Sequence, residues 1–210
     1  MPTTQTFLLF STAALALTLA PGPAVLYIVT RSLHQGRKAG LISTLGLSCG
    51  GLIQVLASVL GLSAVFASSS TAFSIVKLAG AAYLVWLGVR TIAAKPADAS
   101  SAAPEVRGHR RIFLDGVVIN ALNPKAALFL LAFLPQFVRT ERGPATPQLL
   151  ILGLTYVVLA LTTDSLYAVA AGSARNLLAD RPSLKSRSRY VVGAIYLGLG
   201  VAAASLGRGS

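Results

Sequence analysis

Charge is scarce in this chain, and acid most of all. Of 210 residues only 11% are charged, and Asp and Glu together number 6. A soluble domain averages about 25% charged residues, so this composition cannot supply the surface of a water-soluble fold. With 54% hydrophobic residues and a mean hydropathy of +0.72, it describes an integral membrane protein. Cysteine is nearly absent as well. Cys49 stands alone, which excludes an intramolecular disulfide, a CxxC redox centre and a thiol–disulfide carrier. The two histidines, His34 and His109, fall in polar connections, so the supply of ligands for an intramembrane metal site is poor. No metal and no cofactor is expected. The motifs HExxH and GxSxG and a pair of intramembrane aspartates are all missing, which argues against a membrane-embedded enzyme. No Lys or Arg precedes the first apolar run. That run therefore lacks the charged start of a signal peptide and is expected to be a retained helix.

What the chain does have is long apolar stretches. Six spans are expected, over residues 6–30, 39–67, 71–94, 112–138, 148–171 and 190–206. Each meets or approaches the roughly 20 residues a helix needs to cross hydrocarbon. Of the 18 Lys and Arg, 13 cluster in three of the connections. Arg31, Arg37 and Lys38 follow the first span. Arg90, Lys95, Arg107, Arg110 and Arg111 surround the third connection. Arg175, Arg181, Lys185, Arg187 and Arg189 fill the fifth. Cytoplasmic loops collect Lys and Arg, so these connections are expected inside the cell and both termini outside. The basic loops can also touch anionic lipid. They carry no interleaved aromatics and no nucleic-acid motif, so nucleic acid is not an expected partner.

The Ala/Ser/Pro-rich segment 95–110 reads as a cytoplasmic linker within a single transporter domain spanning 1–210. It separates two three-span halves, 1–94 and 111–210, and the halves resemble each other. Gly80-Ala81-Ala82-Tyr83-Leu84 in the third span is echoed by Gly193-Ala194-Ile195-Tyr196-Leu197 in the sixth, and proline interrupts the first span of each half. Three spans per half place the second half upside down. The expected fold is therefore all-α, six transmembrane helices arranged as two inverted three-helix repeats, an architecture of secondary transporters.

The two interruptions are Pro21-Gly22-Pro23 and Asn123-Pro124-Lys125. A lysine at the bilayer centre costs about 2.5–3.5 kcal/mol on insertion scales, so Lys125 reads as part of a substrate or ion pathway. Pro124 removes the usual donor to the carbonyl of Asn120, and Pro21 and Pro23 do the same to Leu17 and Leu19. Bare carbonyls would attract a cation, an ammonium group included. Beyond each break, Asn123-Pro124 and Gly22-Pro23 read as a cap followed by a new helix start. Free N–H groups and the helix dipole there favour an anion, and Lys125 adds a full charge. An anion site beside freed carbonyls suits a zwitterion, and hence an amino acid. A small organic anion would satisfy the Lys125 half equally well.

Asp164 is the acidic residue well inside a span. It can hold an ammonium group, titrate as the coupling-proton site, or pair with Lys125. Gln54 can line the path or bond a neighbouring helix. Gly46 and Gly50 form a GxxxG pattern expected to pack helices within the monomer. Asp115 is expected to pair with a nearby arginine.

These motifs, in this order, resemble the LysE/RhtB family of bacterial amino-acid exporters along nearly the whole chain. The matching pieces are Ala20-Pro21-Gly22-Pro23 with Arg31, Gly36, Lys38 and Gly40 behind it, Gly61-Leu62-Ser63-Ala64, and the run from Lys77 to Gly88. The most specific are Asn120-Ala121-Leu122-Asn123-Pro124-Lys125-Ala126 and Phe133-Leu134-Pro135-Gln136-Phe137. The resemblance implies export of amino acids or close derivatives through the inner membrane, driven by the proton gradient. Many members have a histidine where this chain has Gln54, and some have an aspartate in the second span where this chain has no acid. That leaves Asp164 as the main residue for proton handling.

The sequence thus assigns substrate binding to Pro21, Gly22, Pro23, Asn120, Asn123, Pro124 and Lys125. Asp164 takes the ammonium or the proton, and Gln54 either lines the path or bonds a neighbouring helix. The expected partners are an amino acid, protons and lipid, with a homo-oligomer left open. The alternative is a metal or inorganic-ion transporter on a related scaffold, for which a single Asp164 is thin provision.

Overall fold

A computed structural model describes residues 2–68, 89 and 106–173. The expected spans 71–94 and 190–206, most of the linker 95–110 and both halves of the Gly-Ala-x-Tyr-Leu echo lie outside the described residues. Within them the chain is all helix, without strands. Two helices are long and apolar enough to cross a membrane unbroken, and two bent pairs reach that length only when each pair is taken as one span.

The first bent pair is α1 (Thr4–Leu19) and α2 (Pro23–Gln35), which meet at 52°. Thr3 caps α1 by accepting the amide of Thr6 at 3.1 Å. Gly36, at a φ of 85° that favours glycine, then turns the chain into α3 (Arg37–Ser68). The second bent pair is α4 (His109–Ala121) and α5 (Pro124–Phe133), meeting at 43°, and a 3₁₀ turn over Leu134–Phe137 extends α5. After a short turn at Thr140–Arg142, α6 (Ala145–Ser173) runs back. The amide of Gln148 secures that return by donating to the carbonyls of Arg139 and Gly143 at 2.9 and 3.0 Å.

Contacts at both ends show that the bent pairs run antiparallel. At one end Gln35 of α2 exchanges hydrogen bonds with the backbone of Arg107, just before α4. At the other, Phe10 of α1 packs against Phe137 with ring centres 5.5 Å apart. Helices α3 and α4 approach closely through small residues. A methyl group added at Gly46 or Gly50 would collide with the carbonyl of Phe113 or Val117, and one at Gly116 would lie 2.8 Å from the carbonyl of Ser43. The GxxxG pattern therefore packs two helices of one molecule, the usual role of small residues where apolar burial cannot drive association.

The larger buried cluster lies at the Phe10 end, and Ile28, Leu47 and Ala168 form a smaller one apart from it. Phe129, Phe133 and Phe137 repeat every four residues, share one side of α5 and its 3₁₀ extension, and close with Phe10 and Tyr156 into one aromatic cluster. Leucines 8, 45, 56, 60 and 166 point outward, as lipid-facing positions do.

Candidate functional site at the meeting of two broken helices

Both interruptions exist, and they touch. Asn123 caps α5 as the sequence predicts, its side-chain oxygen accepting the amide of Lys125 at 3.1 Å, with Pro124 in the first turn. Gly22 and Pro23 open α2 in the same way, without a side-chain cap. The ammonium of Lys125 then reaches across from the second break to the first and donates to the carbonyl of Ala20, the residue that ends α1. The negative end of the α1 dipole favours a cation there. A side chain at residue 22 would crowd this arrangement, since a Cβ on Gly22 would sit 3.2 Å from Cδ and 3.5 Å from Nζ of Lys125.

One expectation needs correction. The carbonyls of Leu17, Leu19 and Asn120 are not bare, because a buried carbonyl away from water is costly and the fold supplies donors for all three. Leu17 accepts the amide of Ala20 at 3.1 Å, and Asn120 accepts the amide of Asn123 at 3.0 Å. Leu19 accepts the hydroxyl of Tyr167, on α6, at 2.7 Å. Cation attraction at the first break is thus taken up by Lys125 itself, at Ala20.

The second break is braced from α3. The Gln54 amide nitrogen donates to the carbonyls of Asn123 at 2.9 Å and Ala121 at 3.2 Å. Both partners are acceptors, which fixes the amide's orientation. Among the described residues its buried oxygen has no hydrogen-bond partner. Asn120 donates to the carbonyl of Leu47 at 2.7 Å and accepts from Asn123 at 3.2 Å. Asn120, Asn123 and Gln54 are therefore one buried polar network that ties the break to α3.

Asp164 is buried on α6, 8% exposed, within electrostatic range of Lys125, Tyr156 and Tyr167. Among the described residues the ion pair in direct contact is Arg107 with Asp115, the partnership expected for Asp115. Lys125 and Asp164 are therefore neighbours that do not form a direct ion pair. Tyr167, three residues after Asp164 on the same helix face, was not singled out by sequence reasoning. The signal available was that i, i+3 spacing beside an intramembrane acid. Among the described residues no three His, Cys, Asp or Glu side chains come together as a metal site would require.

A family model described as LysE type translocator matches residues 15–207. The chain belongs to the LysE-type translocator family. Its relatives include a homoserine/homoserine lactone efflux protein of Salmonella typhimurium, 35% identical over 74% of this chain and 75% of the relative. An uncharacterized membrane protein of Vibrio cholerae is 31% identical over 93% of this chain and 94% of its own length. A leucine efflux protein of Salmonella choleraesuis is 25% identical over 92% of each. No solved structure matches. Within the LysE-type chain, both breaks, Gln54 and Asp164 fall inside the matched region.

Proposed function

We propose that the protein is a secondary active exporter that carries an amino acid or close derivative out of the cytoplasm across the bacterial inner membrane, coupled to inward proton movement. The observation that carries this reading is the junction of the two breaks, with Lys125 of one bonded to Ala20 of the other over Gly22. In this reading the protein is a single transporter domain of six spans in two inverted halves, 1–94 and 111–210. The segment 95–110 is the cytoplasmic linker, and both termini are periplasmic. The antiparallel course of the two bent pairs supports that inversion. It directs the helix starts at Pro23 and Pro124 toward one another from opposite sides.

The substrate carboxylate binds between those starts, against the ammonium of Lys125 and the first-turn amides beyond Gly22-Pro23 and Asn123-Pro124, with Pro21 and Asn120 beside it. It competes there with the carbonyl of Ala20. Asp164, facing Lys125 without contact, takes the substrate ammonium or the coupled proton. Gln54 lines the path behind the second break. The relatives named for homoserine and leucine efflux support small neutral amino acids as the first substrates to test.

The test is uptake of a labelled amino-acid panel, L-homoserine and L-leucine included, into everted membrane vesicles carrying the protein. Accumulation that requires an imposed proton gradient is expected. No flux of any panel member would contradict the exporter reading, and flux indifferent to the gradient would remove proton coupling from it.

A further inference from the structure

The contact between Lys125 and Ala20 is a cation seat with a cation already in it. The carbonyl of Ala20 stands at the negative end of the α1 dipole, where a positive group is favoured. Neighbouring groups hold that end in place. The amide of Ala20 donates to the carbonyl of Leu17 at 3.1 Å, and the hydroxyl of Tyr167 donates to the carbonyl of Leu19 at 2.7 Å. Pro21 follows and brings no N–H of its own. The group seated on Ala20 is the ammonium of Lys125. The α-ammonium of an amino acid is the same chemical group.

The two members of this contact differ in freedom. The carbonyl belongs to backbone, while the ammonium rides on a flexible four-carbon stem with three donors. Pro21, Gly22 and Lys125 each keep part of their surface accessible, so the pair can be reached. A zwitterion that enters between the two gives each a matching partner. Its carboxylate accepts from Lys125, and its ammonium, on the same carbon, donates to Ala20. One hydrogen bond gives way to two charge-assisted ones, and the site gains no net charge. A solute with one pole alone leaves either Lys125 or Ala20 without its partner, which is costly away from water. Among the described residues Asp164 makes no ion pair with Lys125, whereas Ala20 accepts directly from it.

We propose that the carbonyl of Ala20 is the acceptor of the substrate ammonium, with Lys125 shifting from it to the carboxylate of the same molecule, which leaves Asp164 to the coupled proton. The inference rests on the exporter reading and chooses between the two roles which that reading gives Asp164.

Calorimetry on the full chain in nanodiscs at about pH 6.5, where an α-amino group is charged, tests it. L-leucine and L-homoserine carry both poles, L-leucinamide the ammonium alone and 4-methylpentanoate the carboxylate alone. Wild-type protein is expected to bind at least one two-pole probe about tenfold more tightly than either one-pole probe. In Lys125→Ala, L-leucinamide should bind more tightly than in wild type, because the lysine no longer competes for Ala20, and 4-methylpentanoate should lose roughly tenfold or more. In that background, lactic acid incorporated at residue 21 turns the Ala20 carbonyl into an ester carbonyl, a weaker acceptor, without altering any charge. Compared with Pro21→Ala in the same background, the ester should weaken L-leucinamide roughly threefold to tenfold. L-leucinamide binding that the ester leaves unchanged, or that Lys125→Ala does not strengthen, would overturn the proposal and leave the exporter reading standing. One-pole probes held by wild-type protein as tightly as the two-pole probes would do the same. Binding of neither two-pole probe by wild-type protein would overturn the exporter reading as well.

Discussion

Lys125 does two jobs that the same physics makes compatible. It neutralises the carbonyl end of α1 at Ala20, and it places a positive charge where two helices begin. Gly22 is what lets it in, because any side chain there meets the lysine stem. Gly22→Val should therefore lower transport severely and Gly22→Ala less so, measured as flux at matched protein level. Tyr167→Phe strips the hydroxyl that satisfies Leu19, and should cost about 1 kcal/mol of stability, the ordinary worth of one hydrogen bond. A thermal unfolding midpoint in detergent would read this, and an unchanged midpoint would mean that another donor replaces Tyr167. Residue chemistry was largely legible in advance: Asn123 as a cap and the glycine-proline break follow from local rules that need no tertiary information. The donors to Leu19 and Ala20 were not legible, since Tyr167 and Lys125 reach them from 148 and 105 positions away in the chain.

At the scale of elements, the breaks hold because each is tied to a neighbour. The α4–α5 break hangs on Asn120 and Gln54, which anchor it to α3 from two sides. Asn123→Ala removes the cap of α5 and one link of the network. It should destabilise the protein by about 1 kcal/mol or somewhat more, with transport falling further than the folded fraction does. Equal loss of both would reduce Asn123 to a cap alone. The close approach of α3 and α4 predicts that Gly46→Leu or Gly50→Leu abolishes accumulation of folded protein, visible by size-exclusion chromatography, because backbone carbonyls occupy the space. The GxxxG spacing announced this packing. The aromatic cluster gave no such signal. In a segment apolar on every side, the positions of Phe129, Phe133 and Phe137 do not reveal which face is buried.

At the scale of the molecule, polar contacts join the described helices at one end and aromatic rings at the other. Tyr27 donates to the carbonyl of Ile112 at 3.1 Å, and Arg31 bonds Gln35 at 3.0 Å while lying over the Tyr27 ring. With Arg107 and Asp115 they join α2 to the start of α4. At the far end Phe10 and Phe137 meet. Among the described residues the junction at Lys125 lies between these two sets of contacts, the place that alternating access would require of the proposed central site. The proposed inversion predicts that a reporter fused after Ser210 is active only if it works outside the cytoplasm. A cytoplasmic reporter that fluoresces there would contradict the inverted pairing.

The central claim is that the two breaks form one substrate site through Lys125. Counterflow of L-homoserine and L-leucine in proteoliposomes holding equal amounts of folded wild-type and Lys125→Ala protein tests it most directly. The account predicts a loss of roughly tenfold to a hundredfold, the worth of a charged hydrogen-bond partner. Wild-type counterflow from the alanine variant would contradict it.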